Sequence, residues 1–271
     1  MEFSVITICL NDRDGLQKTK NSVLSQTWKE FEWIIIDGGS VDGSRELIEE
    51  NTSRISYWCS EPDAGIYSAM NKGAAKATGE YLLFLNSGDV FFDDKVLERV
   101  HSIGIHSDIV SGQLVRMDNG ELLRQYDDDI LMQLFNRTIN HQATFIRKSL
   151  FDKIKYDESL RIVSDWKFWL EAIVIRQCSF ETLNLRIAKQ DVTGISLSDQ
   201  YQDLHLAERK QVLNELFPPR VQDTLQNYQF LRSLPTVNNM RYLKNKHPFV
   251  HAFLKKLISF ITLLSRRFGK D

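Results

Sequence analysis

The sequence is poor in the features that usually settle a class quickly. Cysteine occurs three times in 271 residues, at Cys9, Cys59 and Cys178. That odd number, without metal-ligand spacing, points away from a disulfide scaffold or a zinc module and toward free thiols in a reducing cytoplasm. No apolar run approaches the ~18 residues of a membrane-spanning helix. The start, "MEFSVITICLND", lacks the basic segment of a secretory leader, so a cytoplasmic protein is expected. Charge of one sign is also missing: 34 Lys/Arg against 36 Asp/Glu leave a net charge of −2. No global basic field argues for a nucleic-acid partner. With 13 glycines and five prolines, the chain has no linker rich in either, and it shows no repeat or low-complexity tract. Missing too are G-x-G-x-x-G, G-x-x-x-x-G-K-[ST], G-x-S-x-G and H-E-x-x-H. A dinucleotide oxidoreductase, a P-loop enzyme and the corresponding hydrolases therefore have no anchor.

What is present is an ordinary globular balance, 42% apolar and 26% charged residues, enough for a sizeable core. "FSVITICL" (3–10), "FEWIIID" (31–37), "RISYWCSE" (54–61) and "EYLLFL" (80–85) read as strands, the first two and the last as buried runs of a parallel sheet. Between them, residues 13–26, 42–51 (with Asp42 as a cap) and 64–79 (stopped by Gly79) carry helical patterns. This alternation predicts an α/β fold with a doubly wound, mostly parallel sheet. Beyond it, 108–117 and 121–126 flank Asp118-Asn119-Gly120 as a hairpin. Residues 142–148 and 179–189 read as strands and 164–176 as a helix. Residues 198–235 are helical with a break at Pro218-Pro219, and 248–268 form a last helix. The expected organisation is one domain over 1–197, in halves 1–90 and 91–197, followed by a helical C-terminal extension, 198–271.

In doubly wound sheets, ligands bind beyond the carboxyl ends of the strands. Three strands here end in polar turns: Asn11-Asp12, Asp37-Gly38-Gly39-Ser40 and Asn86-Ser87-Gly88-Asp89. Asp37 suits either a turn residue bonding the next amides or an acceptor for a nucleobase or ribose. Asp89 suits a helix cap, although Asp93 and Asp94 are better placed for that, or a ligand for a hard cation such as Mn2+ or Mg2+ shared with a diphosphate. On a strand-tip turn it is expected to be a surface carboxylate of little weight in the core. Asp165, in Ser164-Asp165-Trp166, suits an acid favoured by a helix dipole or a general base kept ionised by that dipole. Trp166 and Trp169 suit the core or stacking on a sugar. His141, before Gln142, suits a structural histidine or an acceptor-side group.

Together, "SVITICLND", "SVLSQTWKEFEWIIIDGGSVDGS", "SEPDAGIYSAMNKGAAKATGEYLLFLNSGD", "NHQATFIRKSLF" and "IVSDWKFWLEA" resemble the family 2 glycosyltransferases, over roughly residues 3–195. The resemblance implies the nucleotide-diphospho-sugar transferase (GT-A) fold and inverting transfer from a nucleotide sugar, commonly a UDP-sugar. It implies that Asp37 bonds the donor base, with Leu10, Asn11, Gly38 and Ser40 around it. It places Asp63, Asn71 and Lys72 near the ribose and diphosphate, along with Asn86, Ser87 and Gly88. Asp89 corresponds to the last acid of the metal motif, Asp165 to the catalytic base, and His141, Gln142 and Trp166 face the acceptor side. Two departures stand out. Ser87 occupies the position of the motif's first acid, and Leu10 stands where many relatives carry a tyrosine that stacks on the base. The chemistry is consistent: an inverting transferase needs one base and a cation for the leaving diphosphate, and no second carboxylate as nucleophile. The expected acceptor is a glycan or lipid-linked saccharide in bacterial surface polysaccharide synthesis. A fold-sharing protein that binds a sugar nucleotide without turnover is the competing reading, resting on Ser87.

From Arg241 to Asp271 there are eight Lys/Arg against one acid. Phe249, Val250, Phe253, Leu254, Leu257, Ile258, Ile261, Leu264 and Phe268 recur at helical spacing, with Lys255, Lys256, Arg266 and Arg267 around them. This tail suits either a helix docked on the protein or an in-plane helix on an anionic membrane face. Donor sugar and acceptor selectivity are expected to lie in loops around 90–140 and 190–200.

Overall fold

The structure, a computed structural model, describes residues 1–123, 130–191 and 199–268. The chain divides into two compact units, Met1–Val212 and Leu213–Asp271. The boundary expected at 197/198 lies outside the described residues, as do residues 124–126 of the expected hairpin.

The first unit is built on an eight-stranded sheet. Its amino-terminal half alternates as the apolar runs predict: β1 (Phe3–Cys9), α1 (Arg13–Leu24), β2 (Phe31–Asp37), α2 (Ser44–Glu49), β3 (Tyr57–Ser60), α3 (Ile66–Lys76) and β4 (Tyr81–Phe84). β1 lies parallel between β2 and β4, and β3 adds parallel to β2. All of β1 and β4 is buried, which is why they read as unbroken apolar runs rather than alternating ones.

The second half adds β5 (Val90–Phe91), α4 (Val96–Ile103), β6 (Ile109–Arg116), α5 (Ile130–Asn136), β7 (Thr144–Arg147), α6 (Lys148–Phe151), α7 (Ser164–Trp169) and β8 (Phe180–Gln190). The strand order is β3-β2-β1-β4-β7-β6-β8-β5. β7 enters antiparallel between β4 and β6, and β8 runs parallel to β6. Among the described residues of the expected hairpin, Leu122 makes an antiparallel bridge to Val115 and the Leu123 amide donates to Leu114 O at 2.9 Å. The short edge strand β5 was not expected; two residues are too few for a strand pattern to register. The helix expected over 164–176 changes pitch midway. α7 passes into a π-helical turn, Leu170–Ile175, in which the Arg176 amide donates to Glu171 O at 2.9 Å. In α7 itself Trp166, Phe168 and Trp169 are all buried.

Glu32, near the start of β2, is an acid inside this core. It is 6% exposed and accepts from the Ser4 and Thr78 hydroxyls and from the Thr78 and Gly79 amides. One carboxylate thus ties β1 and β2 to the turn between α3 and β4. Burial alone would raise its pKa, but these four donors together hold it below the ordinary value of 4.5.

α8 (Gln202–Leu216) leaves the first unit after Val212, and the second unit continues with α9 (Pro219–Ser233), α10 (Pro235–Lys246) and α11 (Pro248–Phe268). Each of the last three helices begins at a proline, where a missing N–H costs nothing. The break at Pro218-Pro219 matches expectation, while α10 was not anticipated. No helix among the described residues is long and apolar enough to cross a membrane.

The Glu32 network has a signature in pH. A carboxylate with a depressed native pKa stabilises fully above its unfolded pKa, and that contribution is lost as pH falls through the native value. Glu32→Gln should cost about 1–3 kcal/mol at pH 7, read as a lower urea midpoint. The gap to wild type should close as the pH is taken below the ordinary glutamate range; a gap independent of pH would mean that charge is not what holds the turn.

Candidate active site

The tips of β1, β2 and β4 leave the sheet side by side. At β1, Leu10 is 58% exposed, and Asn11 takes a left-handed conformation, φ 50°. The Asn11 amide donates to Ser40 Oγ at 2.7 Å, and the Val41 amide donates to Asn11 Oδ1 at 2.9 Å. The β1 and β2 tips are therefore clasped. Asp37 lies beneath the clasp with no exposure. Its Oδ2 accepts from the Ser40 amide at 3.0 Å and from Ser60 Oγ at 2.6 Å, while Oδ1 accepts from Ser40 Oγ at 2.5 Å. The turn-building role is what this geometry displays. A Cβ at Gly38 would stand 3.0 Å from Asp63 Oδ2 and 3.3 Å from a Leu10 methyl. Leu10 and Asp63 thus form one rim with the glycine as its floor. Asp63 Oδ1 accepts from the Gly65 amide at 2.8 Å.

Lys72 pairs with Glu61 at 2.9 Å on this side of the sheet. Asn71 does not join it. Its amide group donates to Tyr156 O and to Glu158 Oε1, each at 2.9 Å, and its oxygen accepts from the Tyr156 amide at 3.1 Å. With donors and acceptor engaged, Asn71 fastens the 156–158 segment.

At the β4 tip, Gly88 has φ +93°, a conformation that a side chain would strain. Thr19, on α1, holds the turn: its hydroxyl accepts from the Gly88 amide at 3.1 Å and donates to Asp89 O at 2.7 Å. Ser87 donates to Asp12 Oδ2 at 2.7 Å, while Asp12 Oδ1 caps α1 through the Gly15 amide at 3.1 Å. Asp89 is not the surface carboxylate expected. It is 4% exposed; β8 pairs with β5 just after the turn, and Asp191 lies against it. Asp89 Oδ1 accepts from the Asp191 amide at 3.0 Å, and Gln142 also hydrogen-bonds the carboxylate. Burial pushes its pKa up to about 7, with the Asp191 charge adding to the rise while His141 and the two hydrogen bonds oppose it.

Asp165 opens α7 and is 7% exposed. Its Oδ1 accepts from its neighbour's amide, Trp166 N, at 2.8 Å and from Tyr67 Oη at 3.2 Å, and Oδ2 accepts from Thr138 Oγ1 at 3.2 Å. His141 Nδ1 lies 3.7 Å from Oδ2. The other imidazole nitrogen, Nε2, is 3.3 Å from Asn86 Nδ2. Burial and the Asp165 charge together hold the Tyr67 hydroxyl protonated, well above its ordinary range.

The acids of β4 and α7, far apart in sequence, are therefore linked: Asp89 to Gln142, its neighbour His141 to Asp165, and His141 back to Asn86. Trp166 stands outside this chain. It is 1% exposed, its Nε1 donates to Leu134 O, and the Arg209 guanidinium lies 3.9 Å from its ring centre. No ring face remains for a sugar, so Trp166 is a core residue rather than an acceptor-side one. Sequence reasoning missed Asp12, Thr19, Tyr67 and Thr138. Of these, only Asp12 carried a signal, as the residue just before a helical pattern.

Residues 4–162 match the glycosyl transferase family 2 profile. The chain belongs to that family. It is 36% identical over 200 residues to an uncharacterized glycosyltransferase of Mycobacterium tuberculosis, an alignment covering 71% of this chain and 76% of the relative. A PGL/p-HBAD biosynthesis glycosyltransferase of Mycobacterium bovis is 37% identical over 174 residues, 61% of this chain and 67% of that one. Among solved structures, Staphylococcus aureus TarS (1–349) in complex with UDP-GlcNAc superposes with a TM-score of 0.62 at 20% identity, covering 80% of this chain and 71% of that one. The mannosyltransferase PcManGT of Pyrobaculum calidifontis, in complex with GDP-Man and Mn2+, gives 0.62 at 14% identity, covering 97% and 80%. At these identities the structures establish the fold alone: the GT-A arrangement, here with a mostly parallel sheet and C-terminal helices. Asp165, at the start of α7, lies just beyond the segment that the family profile matches.

In this family 2 glycosyltransferase the donor set around the β4 tip suits a hard cation. Asp89 offers carboxylate oxygens whose charge burial leaves poorly compensated. Nearby, Asn86 Oδ1 is buried without a hydrogen-bond partner among the described residues. No cluster of three or more His, Cys, Asp or Glu residues that could hold a metal occurs among them, so further ligands would have to come from a diphosphate and water.

A raised carboxyl pKa fixes the sign of a stability test in chelator-treated protein. The native state binds the Asp89 proton more tightly than the unfolded chain does. Its contribution is therefore full below the ordinary aspartate range and is lost as pH rises through about 7. Asp89→Asn removes that loss. By scanning calorimetry the variant should melt a few degrees above wild type at pH 8, with the difference vanishing toward pH 4. A variant that melts lower at both pH values would show that the hydrogen bonds of the carboxylate outweigh its charge.

Proposed function

We propose that the chain transfers a glycosyl group, with inversion, from a nucleoside diphosphate sugar to a hydroxyl of a glycan or lipid-linked acceptor, with UDP-sugars as the favoured donors. The observation that carries this reading is the juxtaposition just described. A carboxylate, Asp165, has one oxygen held by Tyr67 and Trp166 N, and the other meets Thr138 and His141. The linked acid, Asp89, sits at the tip of β4, at the ligand-binding end of the sheet.

In the proposed reaction the acceptor oxygen attacks the anomeric carbon of the donor while its proton passes to Asp165 Oδ2. The bond between that carbon and the diphosphate oxygen breaks, and nucleoside diphosphate leaves. Tyr67 and Thr138 hold the carboxylate in place and His141 faces it. The rim formed by Leu10, Asn11, Gly38, Ser40 and Asp63 is the proposed seat of the nucleoside, with Asp37 bracing it from below. An aliphatic Leu10 covers a base by packing rather than by ring stacking. Lys72, Ser87 and Gly88 face the diphosphate. Asp89 would hold Mn2+ or Mg2+, whose charge would offset that of the departing diphosphate.

The proposal extends to the tail. Along α11, Phe249, Val250, Phe253, Leu257, Ile258, Phe260, Ile261 and Leu263 are exposed. The same helix contributes Lys255, Lys256, Arg266 and Arg267, with no acid between Pro248 and Phe268. Exposed apolar residues and cations along one stretch of chain match the chemistry of an anionic bilayer surface. We place the protein there, as a peripheral protein on the inner face of the cytoplasmic membrane, where lipid-linked acceptors lie.

Asp165→Asn should lower kcat at least roughly 100-fold while leaving UDP affinity within a factor of two. The assay is release of nucleoside diphosphate from UDP-sugar in the presence of acceptor, with calorimetric UDP binding alongside. Binding of UDP-sugar by wild type with no release for any acceptor would favour a non-catalytic sugar-nucleotide-binding protein instead.

For the tail, full-length protein should float with vesicles containing anionic phospholipid, and float less as salt is raised. A chain ending at Asn245 should stay in the soluble fraction. Equal partitioning of the two would sink the membrane role.

A further inference from the structure

Asp165 sits on a helix that cannot orient it alone. α7 has six residues, its N-cap position is Val163, and no side chain caps it. The three residues before α7 nevertheless have their amides satisfied, and by a single group. Glu208, on α8, accepts from the Arg161 amide through Oε1 at 2.7 Å, and from the Ile162 and Val163 amides through Oε2 at 2.9 and 3.2 Å. It is 6% exposed. Three successive amides converging on one carboxylate form a concave anion seat, and hydrogen bonds to a charged acceptor are the stronger kind.

The same backbone leads directly to Asp165. The single Tyr67 hydroxyl proton is shared between Ile162 O at 2.7 Å and Asp165 Oδ1 at 3.2 Å, so a shift of the 161–163 segment would change how that hydroxyl meets the carboxylate. On the other flank Arg209, next to Glu208, lies over the Trp166 ring and donates to Phe135 O at 2.7 Å. Adjacent residues of α8 thus grip the chain on both sides of Asp165. Neither acts on it by direct contact.

We propose that Glu208 is a positioning residue for Asp165, fixing the direction of its carboxylate through the 161–163 amides. The inference rests on the reading of Asp165 as the base. A carboxylate that merely stabilised the fold would lower the melting temperature and leave turnover of the folded enzyme untouched. A positioning carboxylate acts on kcat and acts through Asp165.

The test is a double-mutant cycle on the full chain. Glu208→Gln turns an amide N–H2 or a single oxygen toward amides that need acceptors. It should lower kcat about 10–100-fold in folded protein, with UDP affinity and donor KM within twofold of wild type. In an Asp165→Asn background the same change should alter residual transfer less than twofold, because the group being positioned is gone. Glu208→Asp keeps the charge and withdraws it by one methylene. It should recover part of the lost kcat, and it serves as the measured variant if Glu208→Gln does not fold. Unchanged kcat in folded Glu208→Gln, or an equal loss in both backgrounds, would overturn the proposal. Full activity of Asp165→Asn itself would instead overturn the assignment of the base, a result that the cycle reads separately.

Discussion

The site depends on one constraint, the parallel placement of β1 between β2 and β4. Register pairs Cys9 with Asp37 and Ile6 with Phe84, so three strands leave the sheet at the same end. Parallel strands need crossover helices, and here those helices also serve the tips. Asp12 caps α1 while accepting from Ser87, and Thr19 on α1 holds the turn that carries Asp89. Sheet order and turn geometry are therefore one problem. If α1 moved, the β4 tip would lose its hydroxyl brace.

A second dependence crosses the halves of the sheet. Asp89 comes from the parallel half, whereas His141, Gln142 and Asp165 come from the half that β7 joins antiparallel. Their meeting is possible because β7 enters beside β4 and brings the turn at His141–Ala143 to the β4 tip. The buried acids divide into two kinds. Glu32, Asp37 and Glu208 are surrounded by donors and hold backbone in place. Asp89 and Asp165 are also hydrogen-bonded, but they sit at the ends of elements with His141 beside them, where function can use them.

Much of this was legible in the sequence, for a physical reason. Strands buried on both faces must be continuously apolar, so β1, β2 and β4 announce themselves, and the polar turns after them stand out by contrast. The family motifs then pointed to Asp89 and Asp165. Long-range partnerships were not legible. Nothing local distinguishes Glu208 from a solvated helix acid, since its three partners lie more than forty residues earlier. Glu32 is likewise buried by a turn that pairs with it across the fold. Trp166 was open between core and sugar because a tryptophan beside a functional acid suits both, and Arg209 over its ring decides for the core. The bonds of the Asn71 amide to the 156–158 segment were not legible either. α10 follows α9 directly at Pro235, where a proline that starts a helix also reads as one that ends the helix before it.

The hydrogen bond from Ser87 to Asp12 has an evolutionary consequence. Position 87 is where the resembled family places its first metal-motif acid, and here a serine meets a carboxylate across 2.7 Å. Restoring an acid at 87 would set two like charges in contact, raising the energy of both and pushing one toward protonation. An acid at that position is thus disfavoured while Asp12 stays, so the residue tolerated at 87 depends on the residue at 12.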